Sequence, residues 1–200
     1  MKRIELKGAK TCPTFIGSWF IEPIGLCDDL VAFFEENPEL QKTGETFSGL
    51  HSDDKKSTDI TILPRDLDEP GYEPARNYIN CLYDCYADYV QQWPFLECIP
   101  TVEIGAFNLQ RYHKGEHFSQ LHTERSSLGT LHRLMAWMTY LNDVPTGGST
   151  YFSHYDLDVQ PEKGKTLIWP AEWTHAHTGN VVPQGTKYII TGWMHFPSNE

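Results

Sequence analysis

The sequence predicts a mainly β protein in which N-terminal helices precede a β-sandwich, barrel or jelly roll. Two observations carry this prediction. In the first hundred residues, apolar side chains recur at the spacing of helices. After Pro100, short apolar or alternating segments are separated by Gly, Pro, Asn and Asp, which is typical of all-β folds with many short strands. A chain of 200 residues is long enough for one domain with a sizeable core.

Two helices are expected in the first half. The segment 26–37 has apolar residues at helical spacing, acidic residues in its first turn and a proline directly after it. The segment 73–93 has a proline in its first turn, a clear 3.6-residue period and a proline at its end. The polar stretch 41–70 between them is expected to be a loop with a short strand near 60–63.

The second half is expected to hold the strands. It is also where the histidines gather, since seven of the nine lie between positions 113 and 177. The chemistry of the protein is therefore expected on the β part. The predicted strands cover 102–112, 131–141, 149–153, 166–170 and 186–196.

Composition excludes several classes of protein. The formal charge of −11 argues against sequence-independent nucleic-acid binding, which depends on neutralising phosphates. No apolar run approaches the ~20 residues of a bilayer span, and no apolar region follows the basic N-terminus as in a secretory signal. The odd number of cysteines and their irregular spacing predict reduced thiols in a cytoplasmic protein. These cysteines are Cys12, Cys27, Cys81, Cys85 and Cys98.

A candidate metal site begins with His122 and Glu124. In an extended segment, residues two apart point to the same side, so this imidazole and carboxylate can face one point. A histidine from a distant strand would complete a two-His, one-carboxylate triad, which suits non-haem Fe(II) and leaves coordination positions open. His175 and His177 share strand parity, so alternation leaves both open as that third ligand. A lone His-x-Glu also arises by chance, and an exposed histidine is usually an ordinary surface residue.

A lysine near the C-terminus is the second candidate. On the predicted strand 186–196, Lys187 and Trp193 share one face. A lysine on the inner face of a small sandwich is costly unless an anion meets it. It could pair with one carboxylate of a dicarboxylic acid that chelates the metal through its other end. The alternative is a lysine at the sandwich edge that reaches water.

Four motifs stand in order between 103 and 196. Together they resemble the prolyl-4-hydroxylase-like branch of the 2-oxoglutarate/Fe(II) dioxygenases. The resemblance covers about half the chain, and more loosely the helical N-terminal half. The motifs are Tyr140-Leu-Asn-Asp-Val144 followed by Gly147-Gly-Ser-Thr-Tyr-Phe152, Pro161-Glu-Lys-Gly164, Trp169-Pro-Ala171, and His177, Gly179, Gly185, Lys187 and Trp193 in the family's register.

The resemblance implies a double-stranded β-helix (jelly-roll) core within a single domain, 1–200. Residues 1–100 would form helical support and a substrate lid, and 101–200 the catalytic core. The lid would come from 41–70 and the first helices, and would be lined by residues 57–59. The spacing to the family's glycine and lysine favours His177 over His175 as the distal ligand.

The resemblance also implies roles for individual residues. Aromatic side chains are candidates for the apolar wall of the pocket. Arg133 could contact a carboxylate of the substrate or cosubstrate, or it could form an ordinary ion pair with an acidic residue. The implied iron ligands are His122, Glu124 and His177, the implied 2-oxoglutarate contacts are Lys187, Tyr112 and Trp193, and the wall candidates are Phe118, Trp137, Trp169, Trp173 and Trp193.

Two features depart from the family pattern. The usual carboxylate is aspartate, whereas this chain has Glu124, whose side chain is one methylene longer. The gap from Tyr112 to His122 is one residue longer than is typical.

The implied reaction is hydroxylation of a C–H bond while 2-oxoglutarate and O2 become succinate and CO2. Fe(II) is the implied metal, with ascorbate as a stimulant. The substrate is expected to be a peptide, with peptidyl proline as the first candidate, or a small molecule. Two alternatives stand beside this reading: a cupin-type metal dioxygenase or isomerase that does not use 2-oxoglutarate, and a non-catalytic jelly-roll binding module. Halogenases replace the carboxylate ligand with a small residue, so Glu124 argues against that activity.

Overall fold

The computed structural model describes residues 1–4, 13–45, 54–99 and 101–197. Cys12, His51 and the middle of the predicted 41–70 loop lie outside these described residues. Two α-helices occur in the described part of the chain, α1 at Leu26–Glu36 and α2 at Glu73–Gln92. Both agree with the helices predicted from apolar spacing.

The described residues also contain fourteen strands in two antiparallel sheets. They include a strand in each of the five segments predicted after Pro100. The strands are β1 Lys2–Arg3, β2 Gly17–Phe20, β3 Lys42–Thr43, β4 Lys55–Lys56, β5 Thr58–Ile62, β6 Glu103–Ile104, β7 Phe107–Tyr112, β8 His117–His122, β9 Arg133–Tyr140, β10 Thr150–Phe152, β11 Leu157–Val159, β12 Lys165–Pro170, β13 His177–Gly179 and β14 Lys187–His195.

The two sheets face each other as a jelly roll. The larger sheet has the order β1-β2-β12-β9-β14-β7-β5-β3, and β6 pairs with the C-terminal end of β14. The smaller sheet has the order β11-β10-β13-β8-β4. The predicted fold class, mainly β with N-terminal helices and a double-stranded β-helix core, is confirmed.

Alternation along β9 separates two cores. Met135 and Trp137 point towards the helices, where they join the apolar cluster that α1 and α2 build on the outer face of the larger sheet. Ala136, Met138 and Tyr140 point to the opposite side and join the cluster between the two sheets. The central strands are therefore buried on both faces, which explains why β9 is a nearly continuous apolar run.

The N-terminal half contributes more strands than the sequence predicted. The strand β2 pairs with β12, and β5 pairs with β7, so both extend the larger sheet. The segment around β2 lacks the alternation that identifies a strand, because three of its four residues are buried. Its place was decided by the open edge of β12, which needs a hydrogen-bonding partner.

The expectation that residues 57–59 line a substrate lid is wrong. Ser57 and Asp59 are buried, and the Ser57 hydroxyl donates to Asp59 at 2.7 Å. Thr58 lies at the start of β5, in register with Arg111 of β7. In the sequence this polar segment resembles a loop, because local residue patterns do not reveal partners that lie on other strands.

Within the described residues, no helix has the length and apolar character needed to cross a bilayer.

Candidate metal centre

The three predicted metal ligands lie on neighbouring segments of the smaller sheet. His122 is the last residue of β8 and His177 is the first residue of β13, and the two are direct partners in the antiparallel register. Glu124 follows two residues after His122. Pairing of these strands therefore brings a distant histidine beside the His-x-Glu segment.

The three side chains converge on one point. The Oε1 atom of Glu124 lies 3.7 Å from Nε2 of His122 and 3.3 Å from Nε2 of His177. One ligand atom from each residue lies within 4.8 Å of the other two. Among the described residues, this is the single group of three or more His, Cys, Asp or Glu side chains that could hold a metal ion.

Backbone carbonyls fix how both imidazoles are presented. The Nδ1–H of His122 donates to the carbonyl of Gln120 at 2.8 Å, and the Nδ1–H of His177 donates to the carbonyl of His175 at 2.9 Å. A carbonyl can only accept, so each Nδ1 carries the proton. Each Nε2 therefore turns its lone pair towards the centre, as a metal ligand must.

The local electrostatics favour the protonation states that bind metal. Burial and the neighbouring His177 lower the pKa of His122 to about 4, so this imidazole is neutral at pH 7. Burial alone would raise the pKa of Glu124, but its contacts with His177, His122 and Trp193 outweigh burial and lower that pKa to about 2. A neutral imidazole and an ionised carboxylate are the forms that bind metal.

Aromatic side chains surround the centre on the inner side. Phe118 stacks on His122 with ring centroids 4.0 Å apart, and Trp169 meets His177 edge-on at 5.2 Å. Two of the predicted wall residues are elsewhere, so that part of the expectation is wrong. Trp137 packs in the helix-facing core, and the Trp173 side chain is 67% exposed. Alternation along β9 sends Trp137 to the helix-facing side, and Trp173 lies in a short 3-10 turn after β12.

Trp193 contacts the carboxylate ligand. Its indole N–H donates to Oε2 of Glu124 at 2.7 Å. The guanidinium of Arg133 covers the indole ring at 3.6 Å from its centroid, and its Nη1 donates to the backbone carbonyl of Glu124 at 2.9 Å. The same Nη1 lies 3.8 Å from Oε2. Arg133 is therefore part of the support of Glu124, an arrangement that the sequence left open.

Lys187 is a buried cation on the inner face of the larger sheet. Only 3% of it is exposed, and its ammonium donates to the carbonyl of Gly148 at 2.9 Å. Gly148 has a φ of +64°, which explains the glycine in this motif. Among the described residues, Lys187 has no ion-pair partner. Burial lowers the pKa of Lys187 to about 7.

Tyr112 meets this lysine with its ring, not its hydroxyl. The ammonium lies 4.5 Å from the ring centroid. The hydroxyl donates to Oε1 of Gln110 at 2.7 Å, and Nε2 of Gln110 donates to Asp59 at 2.9 Å. Asp59 also forms a buried ion pair with Lys55 at 2.6 Å. Because the Asp59 carboxylate can only accept, the direction of the whole series is fixed.

This polar network could not be predicted from the sequence. Its members come from β4, β5 and β7, so no spacing in the sequence links them. The one available signal was the cluster of Lys, Ser and Asp around position 57, which was interpreted as a loop.

His175, the alternative distal ligand, has other partners. Its Nε2 contacts the carbonyl of Thr14 at 2.8 Å, and its Nδ1 contacts the hydroxyl of Thr174 at 3.0 Å. Both ring nitrogens are thus engaged away from the group of His122, Glu124 and His177.

The family model described as the 2OG-Fe(II) oxygenase superfamily matches residues 107–195. This range runs from the start of β7 to the end of β14, and so contains the three candidate ligands and Lys187.

Curated relatives are prolyl 4-hydroxylases. Subunit alpha-1 of Homo sapiens prolyl 4-hydroxylase is 31% identical over 75 residues, which is 34% of this chain. The match spans only 14% of the length of that subunit. Prolyl 4-hydroxylase 2 of Arabidopsis thaliana is 22% identical over 205 residues, covering 86% of this chain and 64% of the plant protein.

Solved structures share the fold. A Pseudomonas putida prolyl-4-hydroxylase has a TM-score of 0.71 at 16% identity, with 92% of this chain and 93% of that chain covered. A prolyl hydroxylase of Trichoplax adhaerens, solved with a peptide fragment of hypoxia inducible factor, has a TM-score of 0.70 at 13% identity, with 92% and 84% covered. A collagen prolyl hydroxylase of Paramecium Bursaria Chlorella virus-1, solved with 2-oxoglutarate, has a TM-score of 0.65 at 16% identity, with 92% and 97% covered.

The matched sequence, the jelly roll and the curated relatives agree with one another. The resemblance stated from four motifs is thereby confirmed. Residues 107–195 match the 2OG-Fe(II) oxygenase superfamily, and within the chain a stretch of 75 residues is similar to prolyl 4-hydroxylase.

Proposed function

We propose that this protein is a 2-oxoglutarate-dependent dioxygenase that hydroxylates a C–H bond of its substrate and forms succinate and CO2. The observation that carries the proposal is the convergence of His122, Glu124 and His177 inside the same jelly roll that buries Lys187, for which the described residues offer no counterion. A cupin-type enzyme without 2-oxoglutarate, or a non-catalytic module, is not favoured, because neither needs an unpaired buried ammonium.

The family implies Fe(II) and 2-oxoglutarate, and the residues present fit both. Two imidazole nitrogens and a carboxylate oxygen form a donor set that suits non-haem Fe(II). The Lys187 ammonium has hydrogen-bonding capacity beyond its one bond to Gly148. It therefore suits the C5 carboxylate of 2-oxoglutarate. When bound, the iron supplies the activation of O2, and the protein supplies placement and a dry site.

The roles of the other site residues follow from their contacts. We assign to Lys187 the anchoring of the cosubstrate, and to Tyr112 a ring that packs against that ammonium. Phe118 and Trp169 restrict the rotation of the two imidazoles and keep water from them. Trp193, expected to line the cosubstrate pocket, acts in this proposal through Glu124.

The proposed substrate is a peptide, with a prolyl residue as the first candidate. Support comes from the prolyl hydroxylase relatives and from the related Trichoplax adhaerens structure with its peptide fragment. Two exposed apolar side chains, Leu128 four residues after Glu124 and Trp173 four residues before His177, offer surface for such a chain. Nucleic acid is not proposed, because the net charge is −11.

We propose a cytoplasmic location, because the sequence suggested that the cysteines are reduced thiols. The cysteines at 27, 81, 85 and 98 are free. Burial raises the pKa of Cys27 and of Cys85 to about 12, which keeps both unreactive.

The test is coupled turnover. Purified protein with Fe(II), ascorbate and 2-oxoglutarate is expected to release succinate slowly, and faster with a proline-containing peptide. The peptide is expected to gain one oxygen atom by mass spectrometry. His122→Ala is expected to reduce both products to background. Full turnover in this variant would overturn the metal assignment, and succinate without peptide oxidation under any peptide would overturn only the proposed substrate.

A further inference from the structure

The two oxygens of Glu124 have different surroundings. Oε1 faces both imidazoles, at 3.7 and 3.3 Å from their Nε2 atoms. Oε2 accepts the indole N–H of Trp193 at 2.7 Å. That bond engages one lone pair of Oε2 and orients the carboxylate with Oε1 towards the imidazoles, which favours binding of a metal through Oε1 alone.

How many oxygens bind decides how many positions remain open. A six-coordinate ion with two imidazoles and one carboxylate oxygen keeps three positions, which is the number that a bidentate 2-oxoacid and O2 need. With both oxygens bound, only two positions remain. Glutamate binds metals in either mode, and its terminal torsion has no sharp intrinsic preference. An external contact must therefore select the mode.

We propose that Trp193 is a positioning residue that keeps Glu124 bound through one oxygen by holding the second. The inference rests on the proposed function, because it presumes a metal at this centre. It also gives a physical reason why a longer glutamate can stand where the family usually has aspartate.

The fold holds the indole firmly in this orientation. Trp193 lies on β14 opposite Ala136 of β9, a small residue that leaves room for the ring. The Arg133 guanidinium lies 3.6 Å from the centroid of the indole ring and covers one face of it. The same guanidinium donates a hydrogen bond to the backbone carbonyl of Glu124, so it connects the indole to the backbone of this metal ligand. Contact between a cation and an indole face adds to this packing.

The experiment uses Co(II) as the metal and Trp193→Phe as the variant. Phenylalanine keeps an aromatic ring and removes the N–H donor. Infrared difference spectra of Co(II)-loaded minus metal-free protein report the separation of the two carboxylate stretches, which is narrower for a two-oxygen ligand. Calorimetry gives the affinities for Co(II) and for 2-oxoglutarate. Trp137→Phe is the matched control, because Trp137 lies on the neighbouring strand and its buried Nε1 has no hydrogen-bond partner.

Trp193→Phe is expected to bring the two carboxylate stretching frequencies closer together and to leave the affinity for Co(II) equal or higher. It is expected to weaken 2-oxoglutarate binding by about ten- to hundredfold, since one bond to a charged group is lost. Trp137→Phe is expected to change none of these. Arg133→Met, which uncovers the indole, is expected to give a smaller change in the same direction, and serves if Trp193→Phe fails to fold.

The proposal is overturned if the two carboxylate stretches of Trp193→Phe have the same frequency separation as in the wild-type protein, whatever happens to affinity. If only Arg133→Met folds, the same result in that variant overturns it. Failure of the wild-type protein to bind Co(II) or any other divalent ion overturns the proposed function instead. The two failures are thus distinct.

Discussion

The two faces of the larger sheet bury very different chemistry. The outer face packs on α1 and α2 and pairs its buried hydroxyls: the Tyr78 hydroxyl meets Thr139 at 2.7 Å, and Thr139 meets Thr166 at 2.7 Å. The inner face buries Lys187 with a single carbonyl partner and encloses the charged Glu124.

The same strands build both faces. On β14, Ile190 and Met194 join the helix-facing core, whereas Lys187 and Trp193 point inwards. One strand can therefore stabilise the fold on one side and serve a ligand on the other. The outer face pairs its buried hydroxyls with one another, while the inner face contains an ammonium that no anion in the described part of the chain pairs.

The largest effect is expected from removing an inner-face ligand. His177→Ala should weaken iron binding by at least about a hundredfold, since even outer partners of metal ligands contribute ten- to a hundredfold. Metal analysis and succinate release both measure this. His175→Gln is the control, because His175 contacts Thr14 and Thr174. Loss of iron in His175→Gln with retention in His177→Ala would reverse the assignment of the distal ligand.

The second effect compares two buried lysines. Lys187→Met should weaken 2-oxoglutarate binding by about a hundred- to a thousandfold, because a buried charge loses its partner. It should also raise the melting temperature of the ligand-free protein. Lys165→Met should do neither, because Lys165 is already paired with Glu162. Calorimetry and thermal unfolding measure the two quantities, and equal cosubstrate affinity in Lys187→Met and wild type would remove Lys187 from its role.

The third effect is a pH dependence set by Lys187. Its pKa of about 7 in the free protein lies below the ordinary value of 10.5, so binding of a carboxylate takes up a proton above pH 7. The dissociation constant of 2-oxoglutarate should be flat below pH 7 and should rise about tenfold from pH 6 to pH 8. Calorimetry across this range measures it. Lys187→Arg should remove the slope, since arginine stays charged.

The stability of the ligand-free protein should also depend on the protonation state of Lys187. Between pH 7 and pH 10.5 the unfolded chain binds a proton at Lys187 that the folded chain has lost, so stability at this site rises with pH. Wild-type stability that rises no more over this window than that of Lys187→Met would contradict the lowered pKa.

The smallest effects are expected at two buried tyrosines, Tyr78 and Tyr112. Tyr78→Phe and Tyr112→Phe each remove one buried hydrogen bond and should each lower the free energy of unfolding by about 1 kcal/mol. Neither should change 2-oxoglutarate affinity more than about threefold, because the Tyr112 hydroxyl donates to Gln110. Denaturant unfolding and calorimetry measure both. A loss of affinity of tenfold or more in Tyr112→Phe would show that the hydroxyl contacts the cosubstrate directly.

The sequence by itself determined the helices, the main strands and the candidate ligands. Periodicity is a local property, so α2 and the alternation of β9 and β14 could be predicted from nearby residues. The spacing from His177 to Lys187 and Trp193 was informative for the same reason, since all three lie on one short stretch of chain.

Only the tertiary structure decided what depends on contacts between distant strands. Pairing of β8 with β13 brings His177 to His122, and pairing of β9 with β14 brings Arg133 to Trp193. The buried network of Lys55, which looked like a loop, is held by partners from other strands. Such contacts form because burial favours polar groups that have hydrogen-bond partners, and those partners are neighbours in space, not along the chain.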